Sequence, residues 1–155
     1  MITLRGPNGE RQVKATDFHL LPGNTPHVEH DLKPGELIAS LFIPDASHAQ
    51  RSAYLKVRDR SSYEFAVASA AVALDLSGDT IRSARIALGG IGTKPWRSRE
   101  AEAALTGKTA TAANFRAAAE AAMKGAKDWG QNGFKIELAK RTLVRALSDL
   151  AGGAA

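Results

Sequence analysis

The stretch that most constrains the fold is residues 64–88. A run of small apolar residues, EFAVASAAVAL, continues through DL into the turn signal SGDT and then into IRSARIAL. Local propensity favours a helix for the first run. Alanine is the strongest helix former, and Ser61 with Glu64 three residues later has the form of a capping box. The continuation favours a strand. Ala84, Ile86 and Leu88 fall on one side and Ser83 and Arg85 on the other, the period of two of a half-buried strand. Strand–turn–strand is the simplest join, so residues 64–76 are predicted to be a strand.

The remaining elements follow from similar signals. MITL and RQVKA are β-prone pieces around RGPNGE, where Asn8-Gly9 is a turn dipeptide, so the chain is expected to start as a hairpin. Residues 16–35 are irregular, with turns at Pro22-Gly23 and Pro34-Gly35 and little apolar periodicity. They are expected to be poorly anchored, leaving Phe18 and Leu20 in need of cover. ELIASLFIP reads as a strand ended by Pro44, and the polar DASHAQRS as a link between domains. AYLKVRDR is a strand running into a charged loop, and GGIGTKPW a second loop. Ser98 offers an N-cap to the helix REAEAALTG, with Glu100 and Glu102 near its positive end and Gly107 at its stop. A second helix covers AANFRAAAEAAMKGA. A third presents Ile136, Leu143, Leu147 and Leu150 on one face, with Glu137 and Arg141 paired four apart. The Gly/Ala tail at 151–155 is expected to fray. The fold class is α+β, an antiparallel sheet of three to four strands covered by helices on one face.

Composition removes whole classes of function. The 155 residues contain no cysteine, which excludes disulfides, thiolate metal sites, cluster ligation and cysteine nucleophiles within them and suits a reducing, cytoplasmic setting. No apolar h-region opens the sequence and no apolar stretch reaches membrane-spanning length, so neither a signal peptide nor a membrane association is expected. The net charge of +5 suits an anionic partner, but no Lys/Arg block or stacking aromatics accompany it, which disfavours nucleic acid.

Candidate chemistry is sparse. Of the histidines His19, His27, His30 and His48, the pair His27 and His30 stands near Glu29 and Asp31, but loose loop spacing does not define a metal site; a solvated loop is expected. Ser61 and Ser62 suit turn backbone better than nucleophilic roles. GGIG at 89–92 follows a strand but lacks the Lys-Ser/Thr pair of a phosphate loop, so it reads as a tight turn. Trp96, between Lys94 and Arg97, reads as a ring packed on its domain. Lys135, Lys140, Arg141 and Arg145 read as a solvated helix face. No catalytic residue and no metal site is predicted, and whether the chain is itself enzymatic is left open.

Six landmarks in order carry a resemblance: GPNGERQV, TDFHLLPGNTP, LKPGELIASLFIP, AYLKVRDRSSYEFAVASAAVAL, RIALGGIGTKPWRSREAEAALTGK and GFKIELAKRTLVRAL. The chain resembles the C-terminal half of the flavoprotein (medium) subunit of the xanthine, carbon monoxide and aldehyde dehydrogenase molybdenum hydroxylases. The resemblance implies that residues 1–43 are the trailing edge of an incomplete FAD-binding domain and residues 50–151 the C-terminal domain. It implies FAD in the complete subunit, with the molybdenum cofactor on a large partner subunit and iron–sulfur clusters on a small one. By position, Ile38 and Lys56 correspond to cofactor contacts, Lys56 beside the flavin ring. The glycine-rich segments for the FAD pyrophosphate would lie upstream, so the chain alone is expected to be inactive, not to retain FAD, and to be open to homodimerisation. Two other readings stay open: a subunit-docking module that binds no FAD, and a basic nucleic-acid-binding domain.

Overall fold

The structure, a computed structural model, describes residues 1–152, which divide into two compact units after Asp45. In the first unit a three-stranded antiparallel sheet has the order β2-β1-β3, with β1 spanning Ile2–Gly6, β2 Gly9–Val13 and β3 Leu37–Leu41. The predicted hairpin turns on Pro7 and Asn8. Proline presets φ for such a turn, and Gly9, already paired with Gly6, takes φ +104°. The four-residue helix α1, Ala15–Phe18, brings Phe18 onto Ile2 and Leu4, and these three side chains form the buried centre.

Residues 16–35 differ from expectation. Phe18 is buried and needs no further cover. Leu20 N–H donates to the Glu29 carbonyl and Asp31 N–H to the Phe18 carbonyl, both at 2.9 Å. Arg11 reaches Asp31 and Glu36, each at 2.7 Å. The segment is held by backbone pairs and charges together with the single buried ring of Phe18, and such anchors leave no hydrophobic period to read.

In the second unit the sheet order is β4-β5-β6-β7, all neighbours antiparallel. The strands are β4 Ser52–Val57, β5 Ala68–Ser77, β6 Thr80–Gly89 and the two-residue β7 Trp96–Arg97. The hairpin is present, turning at Gly78 (φ +57°) and Asp79. Its first strand begins at Ala68, so residues 64–67 belong to the preceding loop and not, as predicted, to the strand. Alanine's helix propensity loses here to two-sided strand pairing, in which Ala70 faces Leu55 on one side and Leu88 on the other. Pairing runs from Asp75↔Ser83 to Leu76↔Ile81, a bulge at Arg82 that lets Ile81 and Ala84 both enter the core three residues apart.

Three helices cover this sheet: α2 Arg99–Leu105, α3 Ala112–Ala122 and α4 Phe134–Ala151. The Ser98 hydroxyl accepts the Ala101 N–H at 3.1 Å, so the predicted cap starts α2. Thr111 caps α3 through the Asn114 N–H. On α4, Leu143 and Leu147 are buried with Ala139 and Ala146, while Ile136 and Leu150 pack at its margins. Complete burial of a leucine contributes about 1.5–3 kcal/mol, so this face fixes α4 on β5. Of the predicted tail, residues 153–155 lie outside the described residues.

Candidate functional site

The charged segment after β4 is a closed loop. At its base the Val67 N–H donates to the Val57 carbonyl at 2.9 Å. Within it, Glu64 does not cap a helix: its carboxylate accepts the Arg60 N–H at 2.8 Å. The Arg60 guanidinium donates to the Tyr63 carbonyl. Lys56, on β4 opposite Ser69, directs its ammonium to the Glu64 carbonyl. The result is a tight loop in which Tyr63 sits at φ +51°, a left-handed conformation that costs a non-glycine residue about 1–3 kcal/mol. Tyr63 and Phe65 are each 95% exposed. Solvent gives no reason to present two aromatic rings in this way.

The loop is braced from outside. Gly90, just after β6, has φ +73°, and a Cβ there would lie 2.8 Å from the Ala66 carbonyl and 2.9 Å from the Val67 carbonyl. Lys135, in the first turn of α4, donates from Nζ to the Gly90 carbonyl at 2.8 Å and to the Val67 carbonyl at 3.2 Å. The GGIG segment is therefore a tight turn whose Gly90 carbonyl meets a cation, whereas a phosphate cradle would aim amide N–H groups at an anion. Lys135 is correspondingly not part of a solvated face. Lys140, Arg141 and Arg145 do form surface pairs, with Glu120, Glu137 and Asp149.

The other sequence candidates separate. Ile38 lies on β3, half exposed, beside Leu37 at 73% and Leu41 at 65%. The His30 ring stacks on Phe18 at 5.7 Å, and its Nδ1 accepts the Leu32 N–H at 3.3 Å. Asp31 is held by Lys33 and Arg11, whose hydrogen bonds keep its carboxyl below the usual range. Among the described residues no group of three side chains is arranged to hold a metal ion. Trp96 packs against the core and donates from Nε1 to the Ala122 carbonyl at 3.0 Å, as a packed ring should.

Sequence reasoning missed the burial of Glu102. It accepts the Ile86 N–H at 2.9 Å and pairs with Arg97 and Arg99. Burial opposes its ionisation, but the Arg97 guanidinium, the Ile86 amide and Arg99 together hold the carboxyl below the ordinary range. The available signal was its two arginine neighbours; as a helix-dipole residue alone it looked solvated.

An antiparallel sheet with helices on one face and an aromatic-tipped, cation-braced loop at one end defines an α+β domain. The chain belongs to the CO dehydrogenase flavoprotein C-terminal domain family, whose model matches residues 53–150. It is 39% identical over 144 residues to the aldehyde oxidoreductase FAD-binding subunit PaoB of Escherichia coli, covering 92% of this chain and 42% of that protein. It is 32% identical over 149 residues to the carbon monoxide dehydrogenase medium chain of Hydrogenophaga pseudoflava, covering 94% and 50%. Among solved structures, it matches quinoline 2-oxidoreductase from Pseudomonas putida 86 with TM-score 0.85 and 28% identity, over 99% of this chain and 52% of that one. The chain thus spans about half the length, or less, of these relatives.

Proposed function

We propose that this chain is part of an FAD-binding electron-transfer subunit of the molybdenum hydroxylase type, and that Lys56 and loop 58–67 meet the flavin ring. The observation that carries this is the loop itself: within the family-matched region, a lysine ammonium stands in a braced loop that exposes two aromatic rings. These groups fit a flavin. An ammonium has three donors, and one is taken by the Glu64 carbonyl. The planar rings of Tyr63 and Phe65 offer faces and edges to a flat heterocycle. When bound, FAD accepts and passes on electrons; the chain's part is to hold the ring and stabilise negative charge beside it. Ile38, half-exposed on β3, offers apolar surface suited to a contact with FAD. On this reading residues 1–43 are the edge of an FAD-binding domain. The molybdenum cofactor and the iron–sulfur clusters belong to large and small partner subunits, and the chain alone is inactive.

The test is Lys56→Ala in the flavin-loaded complete subunit. The midpoint potential should fall and flavin reduction slow, while stability changes by about 0.5–1.5 kcal/mol, the value of one hydrogen bond. An unchanged potential and rate would overturn the role of Lys56. Residues 1–155 alone should purify without a flavin absorption band; stoichiometric flavin would sink the half-site reading.

A docking module that binds no FAD is the second reading, and the exposed Leu37, Leu41, Phe42 and Ile43 favour it. With Phe18 buried, homodimerisation of the isolated chain would also draw on these residues. Light scattering of the parent against Leu41→Lys, with a flavin titration, separates the two.

A further inference from the structure

We infer that Lys135 is a positioning residue: by tying the Val67 and Gly90 carbonyls together it holds loop 58–67 in place and, through it, the ammonium of Lys56. The inference rests on the flavin reading above for its consequence, but its geometry stands apart from it. Lys135 occupies the first turn of α4, the positive end of the helix dipole, where a cation is electrostatically out of place. Its side chain leaves that end and reaches two carbonyls 68 and 45 positions away. Both lie where sheet pairing stops. Val67 directly precedes β5, Gly90 directly follows β6, and Ser69↔Gly89 is the terminal rung between them. There the Lys135 ammonium replaces a further rung that, among the described residues, no backbone N–H supplies.

The connection to Lys56 is short. Lys135 holds the Val67 carbonyl, the Val67 N–H holds the Val57 carbonyl, and Val57 is covalently next to Lys56. From the other side, Lys56 binds the Glu64 carbonyl, three residues before Val67. Gly90 completes the brace, because a side chain there would push into the Ala66 and Val67 carbonyls. Three separated stretches therefore fix one loop, and that loop carries the strained Tyr63 and the exposed Phe65. A carbonyl-bound lysine at a helix start would have no need of a second carbonyl if its only task were to anchor α4, which Leu143 and Leu147 already bury against the sheet.

The test uses Lys135→Met, which keeps length and removes every donor, with Gly90→Ala as an independent second variant. In the chain itself, hydrogen exchange at the Val67 amide should accelerate roughly tenfold or more while amides in the middle of β5 and β6 keep their protection, as a local opening requires. In the flavin-loaded complete subunit, each variant should shift the midpoint potential in the same direction as Lys56→Ala. Parent-like exchange and potential in either folded variant overturns the inference. If Lys56→Ala shifts the potential and Lys135→Met does not, the positioning role falls and the flavin reading stands. If Lys135→Met opens the loop while Lys56→Ala leaves the potential unchanged, the brace stands and the flavin reading falls.

Discussion

The two sheets of this protein are both antiparallel but solve burial in different ways. In residues 46–152, β5 and β6 carry Val72, Leu74, Ile86 and Leu88 into a core closed by three helices. In residues 1–45, β1 buries Ile2 and Leu4 with Phe18, while every residue of edge strand β3 is exposed. Beside this small apolar centre, the smaller sheet is tied to its loop by charge. Arg11 bonds both Glu36 and Asp31, and Glu36 also accepts the Lys33 N–H at 2.7 Å. An edge strand with exposed Leu37, Ile38 and Leu41 is a liability for a free domain and an asset for one that is covered. The second unit thus carries the larger apolar core, while the first leaves an apolar edge exposed.

The sharpest way to break this comparison is in the larger core. Leu143→Ala should cost about 2–5 kcal/mol in denaturant unfolding, because Leu143 is fully buried and its truncation leaves a cavity. A loss below about 1 kcal/mol would mean that α4 does not organise the core. Leu4→Ala, equally buried but among fewer apolar neighbours, should cost about 2 kcal/mol. Its loss of hydrogen-exchange protection should stay within residues 1–45, and spread into β5 and β6 would show that the contrast is false. Glu102→Gln should cost about 1–3 kcal/mol, since the buried Glu102 side chain loses the charge that pairs it with Arg97 and Arg99.

The smallest expected effect sharpens the contrast through pH. Hydrogen bonds from Arg11 and the Lys33 amide hold Glu36 at about 2, and Lys33 and Arg11 hold Asp31 below its usual range. Both folded-state values are depressed, so the stabilisation is complete above the unfolded carboxylate range and is lost as pH falls through the folded values. For Glu36 the window runs from its ordinary 4.5 down to about 2. Exchange within residues 16–36 should speed up across that window, and Arg11→Met should abolish the dependence. The same acid sensitivity in Arg11→Met would assign the effect to other groups.

Much of the larger unit was legible locally. The hairpin announced itself through the alternation of IRSARIAL and the turn SGDT, α2 through Ser98, and α4 through Leu143 and Leu147. The start of β5 was not, because Phe65 to Val67 continue the apolar character of the strand they precede; cross-strand pairing with Val57 and the loop's own hydrogen bonds set the start of the strand at Ala68. Nor was the anchoring of residues 16–35, which depends on Arg11 from another strand.

What the sequence determined by itself was periodic or capped: two-residue alternation, helical apolar spacing, turn dipeptides, and an order of landmarks specific enough to identify the family. These act between residues a few positions apart, so they leave a pattern in the chain. Tertiary structure decided which polar groups are buried or shared. Glu102 became a buried ion-pair centre because Ile86 and Arg97 surround it, and Lys135 became a brace because two strand ends converge on α4. A hydrogen bond across 68 positions needs only one donor and one acceptor, neither marked by its neighbours, and only the folded geometry brings them together.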